Sequence, residues 1–207
     1  IPCPGTPSAP WIIAGRAAAR IAKQANEDPA TEYRGMTLDT VVNGKDGEQW
    51  NYDERDLAWK AGVSSTIIED GAIKLDNTLT FYHPDGKPDP EYGKVIYIVK
   101  LQNIIYNLDL IFNHPEWKKA PLIPDFQVST NPNARKPSDA VSALAVLTDN
   151  LANQAIISDP DFTKENTVAA IDGSNPNRVN TTYPVKLSGN WDIHSLDLLF
   201  GFYLGGA

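Results

Sequence analysis

Two periodicities run through the 207 residues. Ser65 to Glu69 is β-branched and apolar, and from Ala72 to Tyr82 the apolar residues Ile73, Leu75, Leu79 and Phe81 keep to one phase of a two-residue alternation. Asp70-Gly71 lies between these runs and supplies the residue pair that tolerates φ > 0, so the segment predicts a β-hairpin. Elsewhere the period is helical. Trp11 to Ala25 predicts a small-residue helix with Ile12, Ile13, Ala17, Ile21 and Ala25 on one stripe. Asp53 to Ala61 predicts a short helix with Asp53 as N-cap, broken at Gly62. Lys94 to Asn113 is the longest apolar segment. Its residues Val95, Ile98, Val99, Gln102, Ile105, Leu108, Asp109 and Phe112 follow helical spacing and predict a long helix buried on most sides. Pro137-Ser138-Asp139 opens a further helix, Ala140 to Gln154, with Val141, Leu144, Ala145, Leu147, Thr148 and Leu151 on its stripe and Ser138 or Asp139 as cap.

Between these elements lie turn-rich stretches: Asn43 to Gly47, His83 to Tyr92, the Pro-punctuated connector Lys119 to Ala134, and Asn175-Pro176-Asn177. The C-terminal region changes character. Thr182 to Leu187 reads as a strand and Ser188-Gly189-Asn190 as a turn. Trp191 to Leu204 is then a long extended run in which Leu196, Leu198, Phe200, Phe202 and Leu204 alternate at period two. The pattern predicts an α+β fold, a mixed or antiparallel sheet flanked by helices with a long C-terminal strand. Residues 1–30 form a lead-in and helix, and 31–207 form one compact unit.

Composition narrows the function classes. The formal net charge of −8 argues against sequence-independent nucleic-acid binding, which needs a cationic face, and against docking on an anionic membrane. No apolar run reaches the roughly 20 residues of a membrane span, and the Pro-rich start has no cationic n-region. A single cysteine, Cys3, cannot form an internal disulfide. The start at Ile1 suggests the later part of a longer protein or a processed product.

Candidate chemistry is sparse. Asp192, His194 and Ser195 lie close in sequence, but in a strand Asp192 and His194 share a face and Ser195 points away, which does not make a nucleophilic relay. His83, His114 and His194 are far apart and show no zinc-ligand spacing. Asn43-Gly44-Lys45 lacks the glycines of a phosphate loop. Neither Asp85-Lys87-Asp89-Glu91 nor Asp159-Asp161-Glu165 has the ligand order of a calcium loop. No cofactor or metal is expected. The terminal alternating run has two readings: a strand at home in its own sheet, or one added to the sheet of another subunit, where main-chain hydrogen bonds give affinity and alternate side chains set register.

Several of these segments together resemble the conserved C-terminal portion of contractile phage tail sheath proteins of the Mu-like kind. The resemblance is carried by Glu54-Arg55, Ala61-Gly62-Val63-Ser64-Ser65-Thr66, Asp70-Gly71, Thr80-Phe81-Tyr82 and Asp89-Pro90-Glu91-Tyr92, and extends to the Lys94 helix and the Pro137-Ser138-Asp139 helix start. It implies a non-enzymatic structural subunit that self-assembles into stacked hexameric rings around a tail tube and contracts to drive the tube through the host envelope. Upstream domains would be missing from this chain. The implied partners are other copies of itself, the tail tube protein, and baseplate and tail terminator proteins, in a virion tail assembled in the bacterial cytoplasm. Leu196, Leu198, Phe200, Phe202 and Leu204 are the candidates for linking subunits. A bacterial contractile injection system shares the mechanics. The rivals of other classes are a hydrolase with a site near His194 and a carbohydrate-binding module using Trp50, Trp59 or Trp117.

Overall fold

The computed structural model describes residues 1–45, 47–86 and 89–198. The fold has two hydrophobic cores threaded by one helix. The first core gathers around α1 (Pro10–Glu27), which buries Ile13 and Ala17. After α2 (Tyr52–Lys60) comes the hairpin of β1 (Ser65–Glu69) and β2 (Ala72–Asn77), which buries Ile73 and Leu75. The turn is as the sequence predicts, with Asp70 at φ 52° and Gly71 at φ 73° and Glu69 opposite Ala72. The segment around Thr37 lies along β2, with Thr37 bridging Lys74. Gly35 and Leu38 donate to the carbonyls of Leu75 and Ile73, and the Leu75 amide donates to Met36 O. This seats Tyr33 and Leu38 in the core.

The cap of helix α2 lies two residues before the expected one. Asn51, not Asp53, is its N-cap: Asn51 Oδ1 accepts from the Glu54 amide at 3.0 Å, and Glu54 Oε2 accepts from the Asn51 amide at 2.8 Å. The helix stops at Gly62, whose φ of 71° suits glycine and where a Cβ would lie 2.8 Å from His83 Nδ1. Strand β2 ends at Asn77 rather than continuing to Tyr82. Leu79 turns inward to bridge Lys94, and Phe81 is left 72% exposed.

Helix α3 (Val95–Phe112) has 18 residues with mean hydropathy 1.4, long and apolar enough by composition to cross a membrane. Here it is the shared wall of two cores: Ile96 belongs to the first and Ile104 to the second. Its expected burial on most sides does not hold. The buried residues are Ile96, Lys100 and Ile104, one stripe at intervals of four, while Ile105, Tyr106 and Leu110 face outward. A helix apolar all round gives periodicity no face to choose.

The second core packs α3 against α5 (Pro137–Asn153), which buries Leu144, Leu147 and Leu151. Short α4 (Pro115–Lys118) and the Pro-rich connector lie between these helices. Asp139 reaches back to the Lys136 amide at 2.8 Å, and Asp125 of the connector accepts the Ser138 amide at 3.0 Å. The remaining elements are β3 (Ile157–Ser158), α6 (Pro160–Asn166), β4 (Val168–Ile171), β5 (Val179–Thr182) and β6 (Lys186–Leu187).

The architecture is α+β, and among the described residues it has three two-stranded antiparallel ribbons, β1–β2, β3–β6 and β4–β5, in place of one sheet. The strand expected over Thr182 to Leu187 is split. β5 ends at Thr182 and β6 begins at Lys186, on either side of Pro184, which has no amide to give a ladder. The expected long C-terminal strand is not present in its described part: residues 191–198 carry neither strand nor helix.

Candidate functional site: the root and outer run of the C-terminal tail

The buried stripe of α3 carries a charge at its centre. Lys100 is 1% exposed, with Ile96 one turn before it in one core and Ile104 one turn after it in the other. An ammonium so placed must find acceptors, because an unpaired buried charge is strongly unfavourable. Its three protons are matched by three oxygens of the tail: Ser188 O at 2.8 Å, Ser188 Oγ at 3.0 Å and Asn190 Oδ1 at 3.1 Å. All three are neutral. Burial therefore pushes the Lys100 ammonium below the ordinary lysine range, and the more distant carboxylates of Glu32 and Asp28 pull it partly back.

The same tail residues are held from other sides. The Ser188 amide donates to Ile156 O at 3.1 Å, and its hydroxyl donates to Ala155 O. Asn190 Nδ2 donates to Ala30 O at 3.1 Å, just beyond α1. Asp192 accepts from Lys94 Nζ, which also lies 3.7 Å from Glu32. Groups from α3, the segment after α1 and the start of β3 thus converge on residues 188–192.

Past this root the tail turns apolar and outward. Trp191, Ile193, Leu196 and Leu198 are 83%, 88%, 72% and 81% exposed. Single exposed apolar residues are ordinary, but four within eight positions are a concentration that a partner surface could cover. Of the expected linking residues, Leu196 and Leu198 are therefore outward-facing, while Phe200, Phe202 and Leu204 lie outside the described residues. Beside the root, a groove of about 540 Å³ runs between the backbone of residues 185–189 and the α3 side chains Tyr97, Ile98 and Leu101.

The reactive residues singled out in the sequence are not brought together. Asp192 is engaged by Lys94, the His194 ring stands against Trp191 at 5.5 Å between centroids, and among the described residues no hydrogen bond joins Asp192, His194 and Ser195. His83 Nδ1 bonds Phe81 O at 2.6 Å, and His114 caps α4. Asp159 caps α6 and pairs with Lys186. Among the described residues no three His, Cys, Asp or Glu side chains converge as metal ligands. Trp59 and Trp117 line separate clefts, and Trp117 is engaged edge-on by Phe112 with Arg135 over its ring.

Sequence reasoning missed Lys100. The one available signal was a lone cation inside the most apolar segment, which must either face water or be held by acceptors.

No family model matches the chain, and no curated protein matches it. Among solved structures, the chain is similar to the sheath tail protein of Desulfitobacterium hafniense at 12% sequence identity and a TM-score of 0.48. That likeness covers 70% of this chain and 31% of the other, so the chain spans less than a third of that protein's length.

Proposed function

We propose that the chain is part of a contractile tail sheath subunit, a structural protein that assembles with copies of itself around a tail tube. The observation that carries the reading is the tail: a firmly held polar root followed by Trp191, Ile193, Leu196 and Leu198 standing in solvent. The sequence pattern from Glu54 through Tyr92, which resembles that of sheath proteins, points the same way.

The tail acts as an arm donated to a neighbouring subunit. Burying its four described apolar side chains would contribute roughly 6–12 kcal/mol gross, before the entropy of ordering and association is subtracted. The β4–β5 ribbon suits the receiving role. Among the described residues its strands pair only with each other, and β4 packs on α5. A two-stranded ribbon is marginal alone and gains from a third strand. Main-chain ladders between subunits allow neighbours to move as rigid bodies while staying linked, so contraction can proceed with no bound nucleotide. The tube, baseplate and terminator proteins are the remaining partners in this reading, and the assembled site is the tail of a virion or of a bacterial injection machine.

Electron microscopy of the natural polypeptide that carries this sequence, expressed alone, tests the proposal. Hollow tubes or stacked six-fold rings are expected. Uniform small particles at high concentration would overturn it and reopen the hydrolase and carbohydrate-binding readings.

A further inference from the structure

We infer that Lys100 is a positioning residue, a bolt that fixes where the C-terminal tail leaves the body. Its use in assembly rests on the sheath reading above; the bolt itself is a property of this chain alone.

The first argument is geometric. Lys100 Nζ grips two tail residues, Ser188 through both its carbonyl and its hydroxyl, and Asn190 through its side-chain oxygen. A grip at two points two residues apart fixes the direction in which the chain leaves residue 190, whereas an apolar contact, which has no direction, would not.

The second argument is energetic. Among the described residues the hydrogen-bond partners of the Lys100 ammonium are neutral oxygens, and the carboxylates of Glu32 and Asp28 act on it from further away. Such a group is a poor source of stability, and an apolar side chain of similar length often serves the core as well or better. What methionine cannot supply is three directed donors. Lysine at this position therefore makes sense as a device for placing the tail rather than for holding the cores together. The surrounding bonds agree, since Asn190 to Ala30 and Asp192 to Lys94 continue the same path along the body surface.

Hydrogen exchange on the full 207-residue chain tests this, comparing wild type with Lys100→Met and Asn190→Ala. The amides of Ser188 and Asp192 are hydrogen-bonded and serve as reporters. In Lys100→Met they are expected to exchange at least about tenfold faster, the loss of hydrogen bonds to a charged group. Amides of α5 should keep their protection, and the thermal midpoint should hold or rise. Asn190→Ala should give a smaller acceleration at the same two amides; it leaves α3 untouched, so it decides the matter if Lys100→Met folds poorly. Unchanged exchange at residues 188–192 in both variants would overturn the inference. So would equal loss of protection in α5, which would make Lys100 a packing residue. A wild-type chain with a firm root whose natural polypeptide forms no tubes would count against the sheath reading and leave the bolt intact.

Discussion

Tyr33 lies wholly buried in the first core, and its hydroxyl has no hydrogen-bond partner among the described residues. Burial, with the neighbouring Glu32 carboxylate second, pushes its pKa up to about 12. The folded state thus holds the phenol proton more tightly than the unfolded chain, whose tyrosine titrates near its ordinary value of about 10. Stability from this group is fully present below about pH 10 and is lost as pH rises through about 12, a change on the order of 2–3 kcal/mol. Tyr33→Phe should be neutral or slightly stabilising at pH 7, because it removes an unpaired hydroxyl. It should also flatten the alkaline loss, read as the difference between the two proteins' urea midpoints at pH 8 and pH 11. Asp76 presents the opposite case. Its buried carboxylate meets Arg55 at 3.1 Å, Arg34 at 3.3 Å and the Ser65 hydroxyl at 3.1 Å. Asp76→Ala would strand the half-buried Arg55 and open β1 beside Ser65, so a loss of about 2–4 kcal/mol is expected in the same denaturation experiment.

At the scale of elements, legibility followed how local the determinant was. The hairpin turn was fully legible, because Asp70-Gly71 needs nothing beyond itself to adopt φ > 0 at both positions, while the end of the second strand was not. Helix α5 was legible in its stripe and its proline fixes the start, but its cap position is Lys136 rather than the expected Ser138 or Asp139. The face of α3 was not. The stripe read from spacing included Val95, Ile98 and Ile105, but the buried one is Ile96, Lys100 and Ile104, chosen by where a lysine finds oxygens some 90 residues away. The tail was half legible. Alternation singled out Leu196 and Leu198, which stand exposed, but it could not reveal the root, whose partners come from three separate segments. The cap of α2 was a near miss, since Asn51 and Glu54 form the reciprocal pair while Asp53 sits in the first turn. Asn51→Ala should therefore cost about 1 kcal/mol. Asp53→Ala should cost a few tenths at most through the helix dipole, and equal effects on the urea midpoint would return the cap to Asp53.

At the scale of the molecule, α3 runs through both cores, with Ile96 in one and Ile104 in the other, and the polar node at Lys100 lies between them. This separates what holds the body from what leaves it. Among the described residues neither core draws on any residue past Leu187, and the last described tether of the tail is Asp192 on Lys94. Leu196 and Leu198 touch solvent and add nothing to either core. Deleting residues 196–207 should then leave the thermal midpoint of the chain unchanged, since stability follows buried area and the described part of that segment buries little. The same deletion in the natural polypeptide should abolish polymerisation, because the arm that would complete a neighbour's ribbon is gone. Thermal unfolding and electron microscopy on matched pairs check the two halves separately. A lowered midpoint would show that the segment packs on its own body, which makes it a home strand. Tubes that form unchanged from the deleted protein would remove the arm from the assembly altogether, whatever the fold of the body.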